Sequence, residues 1–84
     1  MSVEPDLSQW RVLSRADCSL CEAMLVELCD LFGARAEAIQ VQDIDGDSEL
    51  ERKYGQRLPV LLIEDEFVCA YRLDRERLGA WLSR

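Results

Sequence analysis

Four consecutive residues have the types and spacing for redox chemistry: Cys18-Ser19-Leu20-Cys21. Two thiols separated by two residues at a helix start can close a small disulfide ring without unwinding the helix. The first thiol then meets free backbone N–H groups and the positive end of the helix dipole, which favour its thiolate. The thiolate is the nucleophile of disulfide exchange, so this placement turns an inert thiol into an exchange catalyst. The second thiol, one turn deeper, is placed to attack a mixed disulfide and release the reduced substrate. Nearby charges pull both ways: Arg15 favours a Cys18 thiolate, whereas Asp17 and Glu22 oppose it. At an effective dielectric of ~20, a charge ~7 Å away is worth on the order of 2 kcal/mol, so the opposite signs largely cancel. The helix start, at ~0.3–1 kcal/mol and up to ~2, then sets the sign. A depressed but not extreme Cys18 pKa is expected.

The same spacing also occurs as half of a zinc site. Structural zinc takes about four ligands and usually shows a second C-x-x-C or a histidine pair. This chain has no histidine, and its other cysteines, Cys29 and Cys69, stand singly inside apolar patterns. Both are expected to be core residues, with a secondary reading of Cys69 as a thiol near the active-site groove. Packing alone is the other reading of Cys18 and Cys21, opposed by the polar segment before them.

Composition bounds the setting. Eighty-four residues allow one domain, 1–84, with roughly 60–65% of the unfolded surface buried on folding. The first ~8 residues are expected to form a flexible tail. No stretch approaches the ~18 apolar residues of a membrane span, and the acidic N-terminus lacks the pattern of a signal peptide. A cytoplasmic protein is therefore expected, where a cysteine pair is more often redox-active or metal-binding than structural. The net charge of −7 opposes binding to nucleic acid and to anionic membranes.

Around the dithiol, hydrophobic periodicity predicts the elements that must position it. Trp10 to Arg15 is expected to be a strand, with Trp10 and Val12 on one face and Leu13 on the other. Asp17 to Phe32 is expected to be a helix burying Cys21, Leu25, Leu28, Cys29 and Phe32, opened by a Ser19/Glu22 capping box and stopped by Gly33. Ala38 to Asp43 alternates like an edge strand, with Ile39 and Val41 apolar. Ser48 with Glu51 suggests a capping box for a short helix carrying Leu50 and Tyr54 and closed by Gly55. The unbroken run Val60-Leu61-Leu62-Ile63 predicts a central strand covered on both faces. Glu64 to Glu66 is expected to turn the chain into a strand over Phe67 to Tyr71. Asp74 then caps a helix whose apolar side is Leu78, Trp81 and Leu82. Trp10, Phe32 and Trp81 are the expected core anchors. The order is β-α-β-α-β-β-α, an α/β fold with a four-stranded mixed sheet flanked by helices.

From Trp10 to Trp81 the chain resembles the glutaredoxins, and more closely small glutaredoxin-like proteins with a C-x-L-C motif. The residues carrying the resemblance are Cys18-Ser19-Leu20-Cys21, Asp43-Ile44-Asp45, Leu50, Tyr54-Gly55 and Leu58-Pro59-Val60. It implies a thioredoxin-like fold with Pro59 in cis, facing the dithiol. It implies that the Leu58 backbone pairs with the substrate chain, that Cys18 is the nucleophile, and that Cys21 is the resolving thiol. It also implies a glutathione site, in which Arg15 matches a basic residue three before the first cysteine and Arg57-Leu58-Pro59 the segment before the cis-proline. Where glutaredoxins carry Gly-Gly, this chain has Cys69-Ala70, and Asp74 is displaced. Weak glutathione binding near Cys18, Arg57 and Ala70 is therefore expected, with glutathione acting as a reductant and no cofactor held tightly.

The expected function is thiol–disulfide oxidoreductase, acting as a monomer on protein disulfides or glutathione mixed disulfides. Two alternatives from other classes are a non-catalytic interaction module with the same fold and a metal or iron–sulfur carrier using Cys18 at a dimer interface.

Overall fold

A computed structural model describes residues 6–83 of the chain. Its elements are β1 (Trp10–Ser14), α1 (Ser19–Phe32), β2 (Gln40–Asp43), α2 (Ser48–Tyr54), β3 (Val60–Ile63), β4 (Glu66–Ala70) and α3 (Arg75–Leu82). This is the expected β-α-β-α-β-β-α order. The four strands form one mixed sheet in the order β2-β1-β3-β4. β1 runs parallel to β2, while β3 is antiparallel to both β1 and β4.

Side-chain alternation along the central strands splits the core into two layers. Trp10, Val12, Leu61 and Ile63 point to one side, where Met24 and Leu28 of α1 and Leu78 of α3 cover them. Leu13, Val60 and Leu62 point to the other, against Ile44 and Tyr54, the last residue of α2. Every residue of β3 is buried, as its unbroken apolar run requires. Trp10 and Phe32 meet edge to face with ring centroids 5.3 Å apart.

Several element boundaries differ from the sequence-based expectation. α1 begins at Ser19 rather than Asp17, because Asp17 has φ +59°, a left-handed conformation that no helix accommodates. Its cap is Cys18, not Ser19, and the cap of α2 is Asp47, not Ser48. In both helices an acceptor one position earlier takes the free N–H. Gly33 ends α1 at φ +59°, as expected of a glycine there. Residues Gly33–Ala38 then form a 3₁₀ stretch, which delays β2 to Gln40.

Burial corrects three further expectations. Cys29 is exposed, not core. The buried stripe of α1 is Cys21, Met24 and Leu28, and at ~100° per residue Cys29 lies about 100° from its centre. Val41 is also exposed, since its strand is the outermost and has a neighbour on one side only. The tail expected through about residue 8 is not seen at Leu7, which is buried beside Trp10 and Ile39. Residues 1–5 of that expectation lie outside the described residues.

Candidate redox site

Strand register gathers the chemically interesting loops at one end of the sheet. Ser14 lies opposite Asp43, Leu13 opposite Val60, and Val60 opposite Ala70. The loops leaving this end carry Arg15 to Cys18, Ile44 to Asp47, Leu58-Pro59 and Tyr71 to Asp74. Hydrogen bonds tie them together: Ile44 N–H donates to the Ser14 carbonyl at 3.0 Å, and Tyr71 N–H to the Pro59 carbonyl at 2.9 Å.

Cys18 occupies the N-cap position of α1, with φ −105° and ψ 102°. The Cys21 N–H donates to Cys18 Sγ at 3.2 Å, so the first sulfur takes a hydrogen bond from the helix start. In this structure the two sulfurs form a disulfide, with Cα atoms 5.2 Å apart, inside the span a disulfide bridges. Cys18 is half-buried, whereas Cys21 is buried at 3% exposure. Cys18 is thus the more exposed member of the pair and Cys21 the buried one.

Arg15 is placed differently from the sequence-based expectation of a cation serving Cys18 and an anionic ligand. Its Nε donates to Asp45 Oδ1 at 2.9 Å, its Nη2 pairs with Glu51, and its Nη1 reaches the Gly55 carbonyl at 3.5 Å. Asp45 first, then Glu51, hold its pKa above the ordinary value. Gly55 sits tightly here, since a Cβ at that position would press on the Glu51 carbonyl oxygen. The guanidinium therefore clamps the loop before Cys18 to α2.

Arg57, two residues beyond Gly55, reaches toward β4. Its guanidinium stands 5.5 Å from the Tyr54 ring centroid and 5.3 Å from that of Phe67, and it donates to the Lys53 carbonyl at 3.3 Å. The Leu58–Pro59 bond is cis, with Leu58 half-buried and Pro59 buried. Ala70 is half-buried at the end of β4, and Tyr71 after it has φ +69° with its hydroxyl donating to the Gln56 carbonyl at 3.3 Å.

Cys69 is 3% exposed in the first core layer. Burial pushes its thiol pKa up, and this outweighs a hydrogen bond from the Asp74 backbone at the start of α3. Cys69 is also one wall residue of a groove of about 680 Å³ between β4 and α3, which Arg57, Phe67, Tyr71, Arg72 and Arg77 line as well. A second cavity of about 280 Å³ is lined by Leu20, Ala23 and Met24 of α1 together with Tyr71, Arg72 and Leu73. Sequence reasoning missed Arg72 and Arg77 here, and missed Asp45 and Glu51 as the partners of Arg15. No local pattern signals contacts between loops so far apart along the chain.

Among the described residues no helix is long and apolar enough to cross a membrane, and no cluster of three or more Cys, Asp or Glu residues could hold a metal ion.

Comparison with known proteins agrees with this architecture. Residues 11–83 match the family described as Glutaredoxin-like domain (DUF836). The solution structure of protein Ne2328 from Nitrosomonas europaea is similar at a TM-score of 0.80 and 37% identity, covering 96% of this chain and 95% of that one. The X-ray structure of target protein XcR50 from X. campestris gives a TM-score of 0.65 at 38% identity, covering 88% and 95%. Uncharacterized protein Rv0508 of Mycobacterium tuberculosis is 28% identical over 81 residues, 90% of this chain and 84% of that protein. A match over nearly the whole chain, with a four-stranded mixed sheet and a cysteine pair at the first helix start, makes this protein a member of the glutaredoxin-like domain family with a thioredoxin-like fold.

Proposed function

We propose that the protein is a thiol–disulfide oxidoreductase with Cys18 as nucleophile and Cys21 as resolving thiol. The observation that carries this reading is the asymmetry of the pair: a half-buried cysteine at the helix N-cap and a buried one bonded to it. The Cys18 thiolate attacks one sulfur of a substrate disulfide, forming a mixed disulfide and displacing a substrate thiolate, which takes up a proton. Cys21, losing its own proton, then attacks Cys18 Sγ. This closes the Cys18–Cys21 disulfide and releases the second substrate thiolate. The substrate gains two electrons and two protons, and an external thiol reductant returns them to the protein.

The substrate is a disulfide-containing protein or a glutathione mixed disulfide, with the Leu58 backbone pairing with its chain beside Pro59 and Ala70. Glutathione serves as the turnover reductant and is held weakly. Of the two cations expected to attract it, Arg57 is the one assigned here, because Arg15 is already matched by Asp45 and Glu51. The protein acts as a monomer in a reducing compartment such as the cytoplasm, without nucleic acid or membrane partners.

The test is turnover of a small mixed disulfide and of a protein disulfide by glutathione with a glutathione-recycling system. Turnover well above the glutathione background is expected, lost in Cys18→Ser. Rates equal to background with both substrates contradict the proposal.

A further inference from the structure

The two flanks of the dithiol end of the sheet differ in what their arginines face. Arg15 is committed to Asp45 and Glu51. On the β4–α3 flank, Arg77 pairs with Asp74 at 3.7 Å, but among the described residues neither Arg57 nor Arg72 has a carboxylate partner. Both line the 680 Å³ groove. Glu27, which lines the adjoining cavity, is itself paired with Arg75 at 3.3 Å. In a chain of net charge −7, a groove lined by Arg57, Arg72 and Arg77 with Asp74 as its lining carboxylate is a local excess of positive charge.

The groove also has exposed apolar surface and a connection to the dithiol. Tyr71, Arg72 and Leu73 line both cavities, and the second reaches Leu20 inside the Cys18–Cys21 loop. Leu20, Phe67 and Tyr71 are each 40–50% exposed and line the two adjoining cavities rather than standing singly. Apolar rings interleaved with the Arg57 and Arg72 guanidinium groups, which have no carboxylate partner among the described residues, complement a chain segment that carries both carboxylates and apolar side chains.

We infer that the groove between β4 and α3 is a docking surface for an acidic, apolar-containing segment of the disulfide-bearing substrate protein. The assignment takes the partner's nature from the oxidoreductase reading above; the chemistry of recognition comes from Arg57, Arg72, Phe67 and Tyr71. Potential at such a site acts mainly through encounter rate and salt-sensitive affinity. Screening over ~8 Å at physiological salt leaves these local cations dominant over acids elsewhere on the surface.

The test uses two cysteine-free peptides of about ten residues with the same apolar pattern, one glutamate-rich and one lysine-rich, titrated into the reduced, ¹⁵N-labelled protein. The acidic peptide is expected to bind about tenfold more tightly at low salt, shifting amides at Phe67, Ala70, Tyr71 and Arg72. That preference should shrink to about twofold at 0.5 M salt. Arg72→Glu should abolish the preference, and Arg72→Lys should retain most of it; Arg72 is exposed, so both variants should fold. Equal affinity for the two peptides would overturn the inference, as would shifts centred on Arg15 and Asp45. Full competition by free glutathione at equal concentration would overturn the peptide as occupant. Because the peptides lack cysteine, their binding is read independently of catalysis: acid-selective binding together with background-level turnover of the mixed-disulfide and protein-disulfide substrates would defeat the oxidoreductase reading and leave the docking surface standing.

Discussion

Two places in this fold set a cysteine near the start of a helix, and they differ in its burial. At α1 the cysteine is itself the N-cap, half-buried, and its sulfur takes the Cys21 N–H. At α3 the N-cap is Asp74, whose carboxylate takes the Arg77 N–H. Cys69 is left in the core with a backbone hydrogen bond from Asp74, and burial still raises its pKa. Helix-start stabilisation of about 0.3–1 kcal/mol does not offset taking a thiolate out of water. On the proposed oxidoreductase reading, position at the cap, rather than proximity to a helix start, separates the nucleophilic thiol from the buried one.

The largest effect that tests this contrast is on turnover. Cys18→Ser is expected to lower disulfide reduction by about a thousandfold or more, since it removes the attacking atom. Cys21→Ser should leave the first attack intact and accumulate a mixed disulfide with substrate, visible as an added mass on Cys18. Loss of turnover in Cys69→Ala as complete as in Cys18→Ser would break the comparison.

Alkylation of the reduced protein sharpens it next. Near neutral pH, Cys18 should react first, exposed Cys29 more slowly, and Cys69 last, with at least about tenfold between the first and last. Peptide mass mapping over time reads the order directly. Faster labelling of Cys69 than of Cys29 would contradict its burial.

How far the sequence foretold these differences varies by residue. Periodicity identified the central strand Val60–Ile63, the glycine stops at Gly33 and Gly55, and the Asp74 cap, because each rests on local chemistry. The dithiol was legible for the same reason. The caps of α1 and α2 were misplaced by one residue, since the Ser-x-x-Glu pattern competes with an acceptor just before it and only backbone angles decide. The exposure of Cys29 depends on where the centre of a helix's buried stripe falls, which Met24 shifts. The partners of Arg15 are 30 and 36 residues away, so its role as a clamp is a property of the folded loops alone.

Smaller effects follow from the two flanking regions. Arg15→Gln removes exposed ion pairs, so a fall in Tm of no more than a few degrees is expected. The preference for acidic peptides should persist in it. A lost preference in Arg15→Gln would place anion recognition on the wrong flank. The smallest effect concerns pH. A thiol whose pKa is raised in the folded state favours folding at low pH and loses that contribution as pH rises. Stability should therefore decline above pH ~9, where the unfolded thiol ionises, and the decline should be shallower in Cys69→Ala. Equal slopes for the two proteins in denaturant titrations would contradict the burial argument.

The central claim is that Cys18 and Cys21 form a reversible redox couple while Cys29 and Cys69 stay outside it. It is tested most directly by equilibrating the protein in glutathione buffers of graded redox poise, quenching by alkylation, and counting labels by mass. The account predicts a single two-electron transition with a Cys18–Cys21 disulfide on the oxidised side and Cys29 and Cys69 labelled throughout. A protein whose Cys18–Cys21 pair stays unchanged across the whole range, or whose transition involves Cys29 or Cys69 instead, would contradict it.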